Sequence, residues 1–247
     1  MFPSHESLSS VKAVFFDAGH TLVFPDHRVY RDIAEAGGAT DVDDACILTA
    51  EIAARHEFEA LMRSGRKPEA GWDNFYWNFF YGHLFGRVGV PADRIAWCAA
   101  EFRRRNAEGL GCWNQPAPDA DGTLAALRAA GYILGVISNS DGRVEGMLHR
   151  AELARHLAFV IDSEVVGISK PDRRIFELGL ERAGTRPEET IYVGDYVHID
   201  VVGSRAIGMI PVLFDPHRAY EEPADCIVIR ALRELVTLLP APSGAVS

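Results

Sequence analysis

Cysteine is scarce in this chain, with 4 among 247 residues. Cys46, Cys98, Cys112 and Cys226 lie far apart and form no C-x-x-C pair, so neither a disulfide framework nor a structural zinc site is expected. Four reduced thiols among apolar or small neighbours suit a cytoplasmic setting. Positive charge is also in short supply, since 25 Lys and Arg face 35 Asp and Glu for a net charge of −10. A surface of that sign repels phosphate backbones, which argues against a nucleic-acid partner. No stretch approaches 18 uninterrupted apolar residues, and Met1 to Ser10 lacks a basic-then-apolar signal pattern. Neither a membrane span nor secretion is therefore expected. There is no internal repeat, and the only low-complexity segments are the tails 1–10 and 241–247.

What is present is material for a core: 48% of residues are apolar, with 13 Phe and 4 Trp. That excludes a disordered chain. Single cores seldom grow past roughly 250 residues, so the length alone allows either one large domain or a core with an insertion.

The run Ala13 to Phe16 ends in Asp17 and reads as a strand buried on both faces, the kind found in parallel sheets. Similar runs recur at Tyr132 to Ile137, Ala158 to Ile161, Ile191 to Val193, Ile210 to Leu213 and Cys226 to Val228. Helical patterns lie between them at Asp119 to Ala130, Gly142 to Ala154, Asp172 to Ala183 and Ile199 to Ile207, with another at Ala231 to Leu239. Alternation of this kind predicts βαβ units and an α/β fold, a doubly wound parallel sheet. The segment after Phe24 breaks the rhythm. It has amphipathic stretches at Val29 to Glu35, Ala45 to Met62, Trp72 to Phe85 and Ala92 to Ala107, and reads as an inserted all-helical domain. The boundaries expected are 11–24 and 110–240 for the core and 25–109 for the insertion. The aromatic stretch Trp72 to Tyr81 suits either a ligand-facing wall or, by helical spacing, the insertion's own core.

Ligands of open α/β sheets sit beyond the carboxyl ends of the strands. The predicted strands end in Asp17 and Thr21, in Ser138 and Asn139, and in Asp195 and Asp200; Lys170 stands in a loop ahead of a helix. Three carboxylates, an ammonium and two hydroxyls on one sheet edge are the composition of a metal-assisted phosphoryl-transfer site. Asp17 can serve as a nucleophile that forms an aspartyl-phosphate. A Mg²⁺ ion on Asp17, Asp195 and backbone or water oxygens would neutralise charge. Thr21, Ser138 and Lys170 would stabilise the transferring group, and Asp200 would hold a metal-bound water or orient Lys170. Each residue also has an ordinary structural use, in a turn, a helix start or a solvated loop.

The sequence resembles the haloacid dehalogenase-like hydrolase superfamily, in particular its members with a helical cap inserted after the first strand. The resemblance rests on four motifs in order: Phe16-Asp17-Ala18-Gly19-His20-Thr21-Leu22, Gly135 to Ser140, Ser169-Lys170-Pro171-Asp172, and Val193-Gly194-Asp195 through Asp200. It implies a Rossmann-like core, an Asp17 nucleophile, Mg²⁺ dependence and hydrolysis of a small phosphorylated metabolite. Substrate contacts are expected from Ser138, Asn139 and Lys170, and metal contacts from Asp17, Asp195 and the Gly19 carbonyl. The cap is expected to close over the strand ends and choose the substrate. The expected assembly is a monomer or a homodimer.

One position departs from the family. Its phosphatases usually carry a second aspartate two residues after the nucleophile, as general acid and base, and here that residue is Gly19. General acid–base assistance is worth about 10²–10⁴-fold, so the departure implies a slow enzyme or a substrate with a good leaving group. His20 and His198 are the alternative proton donors. Three other readings stand beside the phosphatase: a 2-haloacid dehalogenase, against which the pair Gly194-Asp195 weighs; a phosphonate hydrolase, which needs a cap lysine that only Lys67 could supply; and a non-catalytic phosphate-binding module.

Overall fold

A computed structural model describes residues 8–64, 72–109, 111–220 and 226–239. The chain divides into two compact units, one formed by Met1–Phe24 with Gln115–Ser247 and the other by Pro25–Asn114.

The first unit is an α/β fold around a six-stranded parallel sheet. Its strands are β1 (Ala13–Phe16), β4 (Ile133–Ser138), β5 (Phe159–Asp162), β6 (Thr190–Gly194), β7 (Ile210–Phe214) and β8 (Ile227–Ile229), in the spatial order β5-β4-β1-β6-β7-β8. All six apolar runs of the sequence became strands of this sheet. β1 is central, with Phe16 opposite Val136 on one side and Val193 on the other. The order reverses at β1, which makes the crevice beside it the topological switch point. The core packs closely enough to need a glycine: a Cβ on Gly135 would stand 2.2 Å from the Phe159 ring. That ring meets Phe15 edge-on, with centroids 5.1 Å apart.

Among its described residues the second unit holds four helices: α1 (His27–Ala36), α2 (Asp44–Arg63), α3 (Trp72–Arg87) and α4 (Ile95–Ala107). Asp26 and Asp43 cap the first two by accepting from the amides of Arg28 and Cys46, satisfying N–H groups that have no intrahelical partner. The apolar faces share a core that includes Tyr30, Ile33, Phe80, Tyr81, Phe85 and Phe102. Phe80 and Tyr81 are therefore packing residues, and Trp77 stacks on Tyr81 at 4.8 Å. The side chains of Trp72, Phe75 and Tyr76, and Lys67 altogether, lie outside the described residues. The chain leaves and rejoins the first unit through two short strands that pair with each other, β2 (Val23–Pro25) and β3 (Trp113–Pro116). None of the four cysteines is in a disulfide; Cys98, Cys112 and Cys226 are buried and Cys46 is half-buried. Among the described residues no helix is long and apolar enough to cross a membrane.

Among the described residues the first unit also contains α5 (Ala120–Ala129), α6 (Val144–Arg150), α7 (Ser163–Val166), α8 (Arg173–Ala183), α9 (Val202–Arg205) and α10 (Glu234–Leu238). The expected helix over Ile199 to Ile207 opens instead as a wide π turn over Val197–Val201 that runs into α9.

Candidate active site

Asp17 follows β1 directly, and its amide donates to the Val193 carbonyl of β6 (2.8 Å). That bond sets Asp17 beside Asp195, which follows β6. A tight turn comes next: the Ala18 carbonyl accepts from the amides of Leu22 and Val23 at 2.9 Å each, and the His20 amide donates to the Val23 carbonyl. His20 sits in the left-handed region, with φ +53°, a conformation disfavoured for a residue with a side chain. The turn brings buried Thr21 back to the sheet edge, where its hydroxyl donates to Asp195 Oδ1 at 3.4 Å. Ser138 ends β4 on the other side of β1 and is also buried.

Lys170 comes from the loop ahead of α8, and Asn139 pins that loop. The Asn139 side chain donates to the Lys170 carbonyl (3.0 Å) and accepts from the Lys170 amide (2.8 Å), so both ends of its amide group serve the backbone. The Lys170 ammonium then donates three bonds of 2.8 Å each, to Asp17 Oδ1, Asp200 Oδ1 and the Tyr192 hydroxyl. The Tyr192 hydroxyl in turn donates to the Ile137 carbonyl at 2.7 Å. The second oxygen of Asp200 accepts from the Tyr196 amide at 3.0 Å. This contact closes the wide turn over Val197–Val201, and Gly194 makes room for it, since a Cβ there would lie 2.4 Å from Asp200 Cγ.

Burial works against the Lys170 charge, but the flanking carboxylates of Asp17 and Asp200 outweigh it and hold the ammonium well above the usual lysine range. Burial likewise pushes the Asp200 carboxyl up, against the pull of Lys170. One ligand atom each from Asp17, Asp195 and Asp200 lie within 4.8 Å of one another, and all three residues are buried. Three carboxylates against one ammonium leave two negative charges uncompensated away from water, an arrangement that costs several kcal/mol without a counter-ion. Hard oxygen donors and an excess of two negative charges fit a divalent cation such as Mg²⁺.

His20, only 3% exposed, sets its ring edge-on to Phe24 with centroids 5.9 Å apart, and Phe24 in turn meets Phe214 and His217. His198 lies half-buried in the π turn. Two further residues carry structure at this edge that sequence reasoning passed over. Tyr192 falls inside the expected strand Ile191 to Val193; the available signal is a tyrosine in a buried strand, whose hydroxyl must find a partner. Tyr220, in the loop after β7, donates to the Asp195 carbonyl at 3.1 Å. Buried Asp215 holds that loop by accepting from the amides of Ala219 and Tyr220.

The profile of the haloacid dehalogenase-like hydrolases matches residues 11–208. The chain is 36% identical over 226 residues to the mouse haloacid dehalogenase-like hydrolase domain-containing protein 3, covering 88% of this chain and 86% of that one. It is 38% identical over 209 residues to a glyceraldehyde 3-phosphate phosphatase of Methanothermobacter thermautotrophicus, covering 82% and 85%. Among solved structures, the putative HAD-hydrolase YfnB from Bacillus subtilis, bound to magnesium, shares the fold with a TM-score of 0.71 at 20% identity, over 93% of this chain and 98% of that one. Solved L-2-haloacid dehalogenases share it as well, at 21% and 19% identity, so the fold does not choose between phosphate and halide chemistry.

Proposed function

The chain belongs to the haloacid dehalogenase-like hydrolases, and from that premise we propose that it is a phosphatase, passing the phosphoryl group of a small phosphorylated metabolite to Asp17 and then to water. The observation that carries this reading is the buried Lys170 ammonium bonded to both Asp17 and Asp200, with Asp195 in ligand range of the same point. In it Asp17 attacks phosphorus as a carboxylate, which divides one hard hydrolysis into two displacements. Lys170 supplies a fixed positive charge to the equatorial oxygens, the Ser138 hydroxyl donates to them, and the Thr21 hydroxyl does so by turning from its long bond to Asp195. Asn139 keeps the Lys170 loop in place, and Asp200 keeps the ammonium aimed at Asp17. A Mg²⁺ ion, for which Asp17, Asp195 and the Gly19 carbonyl are the candidate ligands, would supply the charge neutralisation that lets an anion attack an anion.

The similarity to a glyceraldehyde 3-phosphate phosphatase supports phosphate chemistry, as does the retained pair Gly194-Asp195. The test is phosphate release from a panel of phosphorylated metabolites with Mg²⁺, set against Asp17→Asn. Turnover on some member that the variant lacks is the expected result; equal, background rates on every member would end the reading. The dehalogenase-like fold supports a second reading, in which Asp17 attacks carbon. Chloride release from a 2-chloroacid without phosphate release from any ester would select it.

A further inference from the structure

We infer that the substrate of this site is a phosphate whose leaving group departs as a stable anion, a carboxylate or a phenolate, and needs no proton from the enzyme. The inference rests on the phosphatase reading and adds the substrate's chemical class to it.

It comes from following the protons at the sheet edge. The three N–H bonds of Lys170 are all engaged, with Asp17, Asp200 and Tyr192. The Tyr192 proton goes to the Ile137 carbonyl and the Thr21 proton to Asp195. Asp17 accepts on Oδ1, Asp195 on Oδ1 and Asp200 on both oxygens, so the three carboxylates serve as hydrogen-bond acceptors. The turn that carries the nucleophile offers no carboxyl of its own: position 19 is glycine, and the next side chain, His20, sets its ring against Phe24. The Lys170 charge and the Ser138 hydroxyl stabilise a transferring phosphoryl group, but the nucleophile's turn holds no carboxylic acid to protonate an oxygen leaving phosphorus, and His198, the other imidazole near this edge, stands half-buried in the π turn beyond β6.

The chemistry balances without one. An oxygen of Asp17 forms a bond to phosphorus as the bond from phosphorus to the leaving oxygen breaks, and the electron pair departs with a carboxylate or phenolate that takes up no proton. Water then adds to phosphorus, the Asp17 carboxylate leaves with its pair, and the proton of the water goes to the released phosphate or to solvent. An alkyl phosphate in the same site must expel an alkoxide. Acid–base assistance is commonly worth about 10²–10⁴-fold, and a substrate of this kind forgoes that factor.

The experiment uses the full-length protein with Mg²⁺ and a series of phenyl phosphates that differ only in the ring substituent, from 4-nitro through unsubstituted to 4-methoxy, with acetyl phosphate and glyceraldehyde 3-phosphate beside them. The expected result is a kcat/KM that falls by about a hundredfold or more from the 4-nitro to the unsubstituted ester, with acetyl phosphate far above glyceraldehyde 3-phosphate. Gly19→Asp, at a position outside the positive-φ glycines, is expected to narrow that fall by about tenfold. A fall of less than about threefold in the wild-type series, or glyceraldehyde 3-phosphate cleaved as fast as acetyl phosphate, overturns the inference and leaves the phosphatase reading standing. Turnover of no phosphate above Asp17→Asn overturns both.

Discussion

Replacing Tyr192 with Phe removes one oxygen that holds two partners. The hydroxyl donates to the Ile137 carbonyl at 2.7 Å and accepts from the Lys170 ammonium at 2.8 Å, and Tyr192 and Lys170 are 1% and 4% exposed. Water cannot replace the lost bonds without opening the site. A neutral hydrogen bond contributes about 0.5–1.5 kcal/mol and one to a charged group about 1.5–3 kcal/mol, so the variant should lose roughly 2–4 kcal/mol. Each 1.4 kcal/mol is a factor of ten. The slowest amides of β4 and β6 should accordingly exchange about 30- to 700-fold faster, as followed by mass spectrometry on peptides covering those strands. The ammonium keeps its bonds to Asp17 and Asp200 but loses the tether on its third side. Turnover of the best phosphate substrate should drop about tenfold in kcat, with KM changed by less than about threefold, the pattern of an interaction that matters most in the transition state. Exchange altered by less than about threefold together with an unchanged kcat would refute the claim that this hydroxyl holds the lysine in place.

Three further outcomes follow from the geometry. Gly194→Ala places a Cβ 2.4 Å from Asp200 Cγ and should both destabilise the protein by about 3 kcal/mol or more and abolish phosphate release; a Tm within about 2 °C of wild type would contradict it. Mg²⁺ at about 100 times its Kd should stabilise the wild type by about 2.7 kcal/mol, and Asp195→Asn should erase that thermal shift; an equal shift in both proteins would move the cation elsewhere. In the helical unit, the hydrogen bond to Glu51 outweighs burial and raises the His27 pKa. Its stabilisation is fully present below the ordinary histidine value of about 6.5 and is lost as pH rises through the raised one. Denaturant unfolding followed by Trp fluorescence reports this unit, because Trp72, Trp77, Trp97 and Trp113 all lie within it. Stability should decline above about pH 6.5 by more in the wild type than in Glu51→Gln, and parallel pH profiles would exclude the pair.

The six core strands were legible because each is a short apolar run, and Asp17, Ser138 and Asp195 of the candidate site stand within two residues of where such a run ends, whereas Lys170 comes from a loop that no such run marks. β2 and β3 were not. They are three and four residues long, each contains a proline, and β3 is mostly exposed, so neither periodicity nor composition marks them. The stretch from Ile199 reads in the sequence as the start of an ordinary helix, but it lies within a turn over Val197–Val201. The short Asp200 side chain reaching back to the Tyr196 amide widens it into a π turn, and no hydrophobic pattern encodes that contact. The C-terminal helix, expected from Ala231, begins only at Glu234, whose carboxylate accepts from the amides of Arg230 and Ala231. Asn139 was read as a substrate contact from its place after β4, where the structure engages its amide group with the Lys170 backbone. Asp162 shows the same limit: it accepts from the amides of Gly142, Val144 and Glu164, a long-range role that composition cannot reveal.

The central place of β1 also sets a timetable for the growing chain. This strand is made before the other five of its sheet, yet both of its neighbours come late: β4 begins at Ile133 and β6 at Thr190. At roughly 5–20 residues per second, the apolar run Ala13 to Phe16 waits on the order of ten seconds outside the ribosome for its first partner. The helical unit, complete at Asn114, can fold during that interval from contacts within its own stretch of chain. A nascent chain stalled before Ile133 therefore carries Asp17, the proposed nucleophile, at the end of an unpaired, sticky segment, and that is the moment at which a chaperone has something to hold.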